Sequence, residues 1–367
     1  MKLRQRQGTR VKQFGSLLFV LALALAAAWA GAVRADASTS TASCRSPADA
    51  TIAFRVALTR RPMHIFEAVR TLWVALAGRH DPRTGATLAG GSIVAVNGAT
   101  GRIVRRLRLP VDPTQFVAAF GSLWVIGAPT SRRFTGVLRI DPRDGRVIAV
   151  IRAPKAYGSR IAATAKAVWV GGADVYAKGH SDQAGVRYVY KIDPRLNGVV
   201  RQVRLPQGTT VLDLEPDGST LWVSGWWGVA RISHAGRTLF HQPFAGAGWS
   251  MARTSRAVWV TLPWSGTPYQ RRQDAAHTAR QLLRIDRGTR TRRVTVIDLP
   301  GQPGGVAAWG NTVWMGGSEG LARIDDTTAS PVITPTGIDV VATDLFPFPG
   351  GVWVAEGARN RVSKVIC

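Results

Sequence analysis

Nine positions before the tryptophans at 73, 124, 169, 259 and 314 the chain reads His64, Gln115, Arg160, Ser250 and Gly305. An imidazole, a carboxamide, a guanidinium and a hydroxyl at one recurring position could together hold a small polar ligand, and the histidine could move a proton near neutral pH. Thr210 and Asp339 stand as approximate equivalents in the two remaining repeats, where insertions shift the count. A hydrated ring without a ligand is the plainer alternative, and both readings stay open at this stage.

His80, His180, His277, Tyr176 and Tyr269 fall in three long segments, 75–91, 171–188 and 261–281. None of these histidines has the i, i+2 or i, i+4 spacing that makes a metal site specific. Trp226, Trp227, Trp249 and Trp264 gather in the fourth and fifth repeats beside Tyr269. Such aromatics can stack on a sugar, an aromatic ligand or a partner's apolar patch, or else close a small satellite core. Trp309 is expected at the opposite end of its strand, in a structural role. The chain contains no G-x-S-x-G elbow, Walker loop, H-E-x-x-H helix or Rossmann fingerprint, which lowers the expectation of a common hydrolase or transferase.

The elements that position these residues follow from a repeat. A triplet centred on tryptophan recurs at Trp73, Trp124, Trp169, Trp222, Trp259, Trp314 and Trp353, at intervals of roughly 40 to 50 residues. An apolar stretch such as F-V-A-A-F precedes each triplet, and most triplets are followed by a strand and turn such as V-L-R-I-D-P-R-D-G-R-V-I at 137–148. Proline after aspartate, then glycine or asparagine, suits a tight hairpin. A fourth strand closes the unit and often ends in Leu-Pro, as at 109–110 and 205–206. The expected fold is therefore all-β: a seven-bladed β-propeller of four-stranded antiparallel blades over residues 51–367. In such a ring the tryptophans fill the space between neighbouring blades.

The last unit, with strands expected near 338–343, 351–355 and 361–367, stops one strand short. The missing strand is T-I-A-F-R-V-A-L at 51–58, before the first tryptophan unit. Ring closure pairs it with the C-terminal strand and brings Cys44 within reach of Cys367, the only two cysteines. A Cys44–Cys367 disulfide is the resulting expectation.

Residues 1–37 have the form of an export signal: Lys2, Arg4, Arg6, Arg10 and Lys12, then F-G-S-L-L-F-V-L-A-L-A-L-A-A-A-W-A-G-A-V, then Ala35-Asp36-Ala37. The apolar run is also long enough for an uncleaved signal anchor. A linker, 38–50, leads into the propeller. The expected location is extracellular or at the cell surface, where a disulfide persists. The net charge of +26 favours anionic partners such as cell-surface polymers, with no specific nucleic acid implied. A small polar ligand or a protein partner are the other candidates, the membrane enters only through an uncleaved anchor, and the chain is expected to be monomeric.

The pattern W-V-x-G, R-I-D-P-x-x-G-x-V and L-P resembles the exported propeller repeats of the virginiamycin B lyase (streptogramin lyase) and YncE-like, YVTN-repeat families. The resemblance covers 51–367 and implies a seven-bladed propeller. The lyase resemblance further implies Mg-dependent elimination on a cyclic lactone, with a histidine at a first-strand head and a glutamate after the tryptophan strand. Here the candidates would be His64 and Glu356, but they stand on different blades, with Ala342 and Leu76 at the positions where their partners would be. A binding or scaffolding module is accordingly the preferred expectation, with no cofactor, and a lyase the alternative.

Overall fold

The protein is described here from a computed structural model, over residues 49–68, 70–81, 83, 87–129, 136–153, 160–172, 188–206, 211–263, 280–288, 292–328 and 330–367. The leader 1–37, Cys44, Thr210, Trp264, His180, His277, Tyr176 and Tyr269 lie outside these residues, as does the Trp227 side chain.

Seven antiparallel blades form a ring. Their first strands, Pro62–Ala68, Val111–Ala119, Ile161–Thr164, Asp213–Asp217, Ser250–Arg253, Pro303–Trp309 and Asp344–Phe348, each pack against the next, and the last packs against the first. Pro113, Pro216 and Pro347 are tolerated in these strands because each is the inner edge of its sheet, where a missing N–H removes no ladder bond. In blade four, what would be the second and third strands run together as Thr220–Ile232. Arg231 Nε donates to Thr220 Oγ1 at 2.9 Å, a contact that residues eleven apart in a straight strand, about 35 Å, could not make. The run therefore folds back on itself, and the blade keeps its four-stranded order.

Each blade tryptophan is buried, six of them fully. The cores lie between blades: Trp353 of blade seven packs with Ile65, Leu72 and Val74 of blade one, and Trp124 of blade two with Ile161, Val168 and Val170 of blade three. A β-branched, alternating strand can bury both faces only if a sheet covers each, which the ring supplies for every blade.

The basic residue of the R-I-D and K-I-D motifs, and Lys364 at the matching place in S-K-V-I-C, have a physical role. Arg139, Lys191, Arg284 and Lys364 sit directly across the ladder from Trp124, Trp169, Trp259 and Trp353. Their cationic groups lie 4.9 to 5.8 Å from those ring centroids. Each then reaches the hairpin of the next blade: Arg139 to the Pro194 carbonyl at 2.7 Å, Lys191 to the His234 carbonyl at 3.2 Å, Arg284 to Asp326 at 2.9 Å, and Lys364 to the Gly98 carbonyl at 2.6 Å. Part of the basic surplus is thus spent between blades. The aspartates of the same motif make Asx turns, with Asp141 and Asp193 accepting from the amides two residues on.

Thr51–Ala57 pairs antiparallel with Arg361–Ile366, Thr51 opposite Ile366, so the N-terminal strand completes blade seven. One boundary differs from expectation: the first strand of that blade is Asp344–Phe348, not 338–343. I-D-V-V-A-T has the stronger β-branched pattern, but L-F-P-F holds the ladder with Gly351–Ala355, and the turn at Pro349-Gly350 (φ +80 at Gly350) sets its register.

Candidate functional site in the central channel

The first strands enclose a channel cavity of about 330 Å³, at the small end of the range for ligand pockets. The count of nine residues before each tryptophan holds in every blade, giving His64, Gln115, Arg160, Asp213, Ser250, Gly305 and Asp344, and all of these but Arg160 and Gly305 line the cavity at its mouth. Asp213 and Asp344 therefore hold the places expected of Thr210 and Asp339. Asp339 lies off the ring, exposed and paired with Arg359 at 3.2 Å, because the loop before the last first-strand is longer than expected.

These polar side chains join each blade to the next. Asp344 accepts from the Ile65 amide at 2.9 Å, Gln115 from the Ile161 amide at 2.7 Å, Asp213 from the Met251 amide at 2.7 Å, and Ser250 from the Val306 amide at 3.2 Å. Arg160 donates to the Leu212 carbonyl and stands 3.8 Å from Asp213. His64 Nδ1 lies 2.7 Å from Asp344, and its ring meets Phe116 of blade two edge-on at 5.3 Å. The residues read from sequence as a ligand ring are first of all a latch around the mouth, which satisfies the amides at the strand heads.

Two residues further in, the wall changes character. Blades two, three, five and six contribute Val117, Ala162, Ala252 and Ala307, each opposite its blade tryptophan. Blades one and seven contribute Phe66 and Phe346, whose ring centroids are 5.0 Å apart. Blade four contributes Glu215. In a ring of seven, blade four faces the junction of blades seven and one, so a lone carboxylate looks across the channel at an aromatic pair.

Burial pushes the Asp213 carboxyl up to about 6, against the opposing pull of Arg160 and the Met251 and Leu214 amides. Burial pushes Glu215 further, to about 8, with Arg253 opposing and Asp213 and Asp217 adding to the rise. Glu215 accepts no hydrogen bond from the described residues. Its nearest cation, Arg253, is 3.7 Å away and donates to the Pro216 carbonyl at 3.2 Å. Asp217, deeper still, is taken up by Arg287 at 2.6 Å, Arg231 at 3.0 Å and the Trp222 indole at 3.2 Å.

Other expected site residues are placed elsewhere. Glu356 is buried at the end of the second strand of blade seven, away from the cavity wall that contains His64. Its oxygens receive Arg361 in two bonds of 2.7 Å, Ser363 at 2.6 Å and Arg359 at 3.2 Å. That carboxylate is committed to arginines, and the donor set does not fit the Mg site that the lyase resemblance implies; among the described residues no three His, Cys, Asp or Glu side chains cluster for a metal. Trp226 is buried and so belongs to packing rather than to an open platform. Trp249 lies under the Arg160 guanidinium at 5.5 Å, beside the mouth. His80 pairs with Asp112 at 2.8 Å. Trp309, expected to be purely structural, lines the lower cavity. Sequence reasoning missed Asp213, Glu215, Asp344, Phe66 and Phe346. All five were marked by an unbroken count back from the tryptophans.

No protein-family model and no curated protein matches the chain. Solved structures do. The Neurospora crassa Pan2 WD40 domain matches with a TM-score of 0.64 and 12% identity, over 88% of this chain and 96% of that one. Hydrazine synthase of Kuenenia stuttgartiensis matches at 0.61 and 16% identity, over 83% and 95%. BamB from Moraxella catarrhalis matches at 0.57 and 13% identity, over 87% and 98%. At these identities the likeness is one of fold, the β-propeller.

Proposed function

We infer that this chain is an exported β-propeller binding module whose small ligand occupies the central channel. One observation carries the reading: the mouth leads to a cavity of about 330 Å³ whose wall holds a carboxyl group, Glu215, that accepts no hydrogen bond from the described residues and has Arg253 beside it at 3.7 Å. A ring that served only to hold blades together would gain nothing from such a group, because desolvating a carboxyl group without hydrogen bonds to it costs stability. Export rests on the leader at 1–37 and agrees with a Cys44–Cys367 bridge, which the pairing of Thr51 with Ile366 favours. Of the families resembled, the YncE-like binding propellers suit the channel better than the lyase, since Glu356 and His64 do not share a site.

A second reading concerns the outer rim. Arg108, Arg152 and Arg204 end the fourth strands of blades one, two and three; all are exposed, and no described residue bonds to their guanidinium groups. Three exposed guanidinium groups at one height on neighbouring blades favour an anionic surface polymer as a tether, with a salt-sensitive affinity.

The test is a thermal-shift screen of the purified protein against small amines, acids, sugars, macrocyclic lactones and acidic polymers at two salt concentrations. A small molecule whose shift survives high salt and disappears in an Ala252→Leu variant, which narrows the channel, supports the channel reading. Small-molecule shifts that Ala252→Leu leaves intact would overturn it.

A further inference from the structure

The second layer of the channel is polarised in a way that names a ligand class. Three alanines and a valine keep four of its seven sides shallow, so space is left at this level and not filled. Of the other three sides, two are the Phe66 and Phe346 rings, in contact at 5.0 Å. The third, across the axis, is Glu215, about a quarter exposed to the channel. An aromatic face is negative at its centre and apolar in bulk, so it welcomes both a cation and a hydrocarbon. A carboxylate facing it needs a positive hydrogen-bond donor.

We propose that the channel binds a small organic cation with an apolar body, its ammonium group on Glu215 and its apolar part against Phe66 and Phe346. This rests on the channel-binding reading and narrows it to a ligand class. Arg253 does not take the place of the ligand: it stands 3.7 Å from Glu215 and 3.9 Å from Asp217, and its Nε is turned to the Pro216 carbonyl. Asp213 above is held by Arg160 and two backbone amides, and Asp217 below by Arg231 and Arg287. Glu215 is the acid on this strand that accepts no hydrogen bond from the described residues, with Arg253 beside it only at 3.7 Å. The titratable and charged groups facing it are Asp213 and Asp217 from its own strand and Arg253 and Arg287 from blade five, with His64 and Asp344 at the mouth opposite. Burial holds it largely protonated at neutral pH, so a bound cation drives off its proton.

The experiment is calorimetric titration of the full-length protein with phenethylammonium, and with 2-phenylethanol and phenylacetate as neutral and anionic counterparts, in two buffers of different ionisation enthalpy. Phenethylammonium is expected to bind at least tenfold more tightly than either counterpart and to release close to one proton at pH 7. Glu215→Gln should abolish both the preference and the proton release. Phe346→Leu should weaken all three probes alike, and circular dichroism would verify its fold. Preference for phenylacetate or phenylethanol, weakened by Phe346→Leu, would overturn the cation assignment while leaving the channel as the site. Phenethylammonium binding that neither Glu215→Gln nor Phe346→Leu alters, or no binding of any probe, would overturn the proposal itself.

Discussion

Asp344, in the last blade, accepts a hydrogen bond from the Ile65 amide at 2.9 Å and lies 2.7 Å from His64 Nδ1, both in the first blade. The contact lies at the joint between the two ends of the chain, where loss of a single acceptor is felt by the whole ring. Asp344→Ala leaves the Ile65 amide without its partner and is expected to cost about 1 to 3 kcal/mol. Asp339→Ala, which removes an exposed pair with Arg359, should cost well under 1 kcal/mol. Denaturant unfolding of the two variants side by side checks the ranking; equal effects would count against the latch.

Burial raises the Glu356 carboxyl, but hydrogen bonds from Arg361, Ser363 and Arg359 together with the Arg361 charge outweigh it and leave the group below its ordinary value. A carboxylate lowered in the folded state adds stability above its unfolded value, about 4.5, and loses it as the pH falls through the folded value. Glu356→Gln should therefore destabilise by about 3 kcal/mol at pH 7, with the gap to wild type closing below about pH 4.5. A gap that stays constant from pH 7 to pH 3 would refute the assigned charge state.

Glu215 titrates with the opposite sign. Its folded value, about 8, lies above the unfolded 4.5, so between those limits the folded state binds more protons and stability falls as pH rises. Glu215→Gln is expected to stabilise the protein at pH 8, on the order of 4 kcal/mol, and to make little difference near pH 4.5. Melting temperatures of both proteins across this range test it.

The Cys44–Cys367 bridge would tie the N-terminal strand to the end of blade seven. A chain-entropy estimate puts its contribution at about 4 to 5 kcal/mol, because the loop spans almost the whole propeller. Mass spectrometry after alkylation, with and without prior reduction, should differ by two alkyl groups; equal masses would rule the bridge out.

Replacing Arg108, Arg152 and Arg204 together by glutamine should lower retention on an acidic polysaccharide column and flatten its dependence on salt, with little change in melting temperature. Unchanged retention would assign the interaction to the bulk charge of the chain rather than to the rim.

Much of this molecule could be read directly from its residues. Tryptophans at a steady interval, each flanked by alternating β-branched strands and an Asx turn, already demand seven blades, because an amphipathic four-stranded sheet has two faces to bury and only a neighbour on each side to bury them. The closing strand at 51–57 followed from a unit one strand short. The roles of Arg139, Lys191, Arg284 and Lys364 did not, since a basic residue in a hairpin motif looks like surface until the next blade's turn is placed beside it.

The chain's local patterns thus determined the number of blades, the strand order and the position of the channel, all of which depend on neighbours in sequence. Only the tertiary structure decided which residues meet across the axis. Glu215 lies far along the chain from both Phe66 and Phe346, and their opposition exists because seven sheets close into a ring that sets blade four against blades seven and one. The polarity of the pocket is therefore a property of the closed ring.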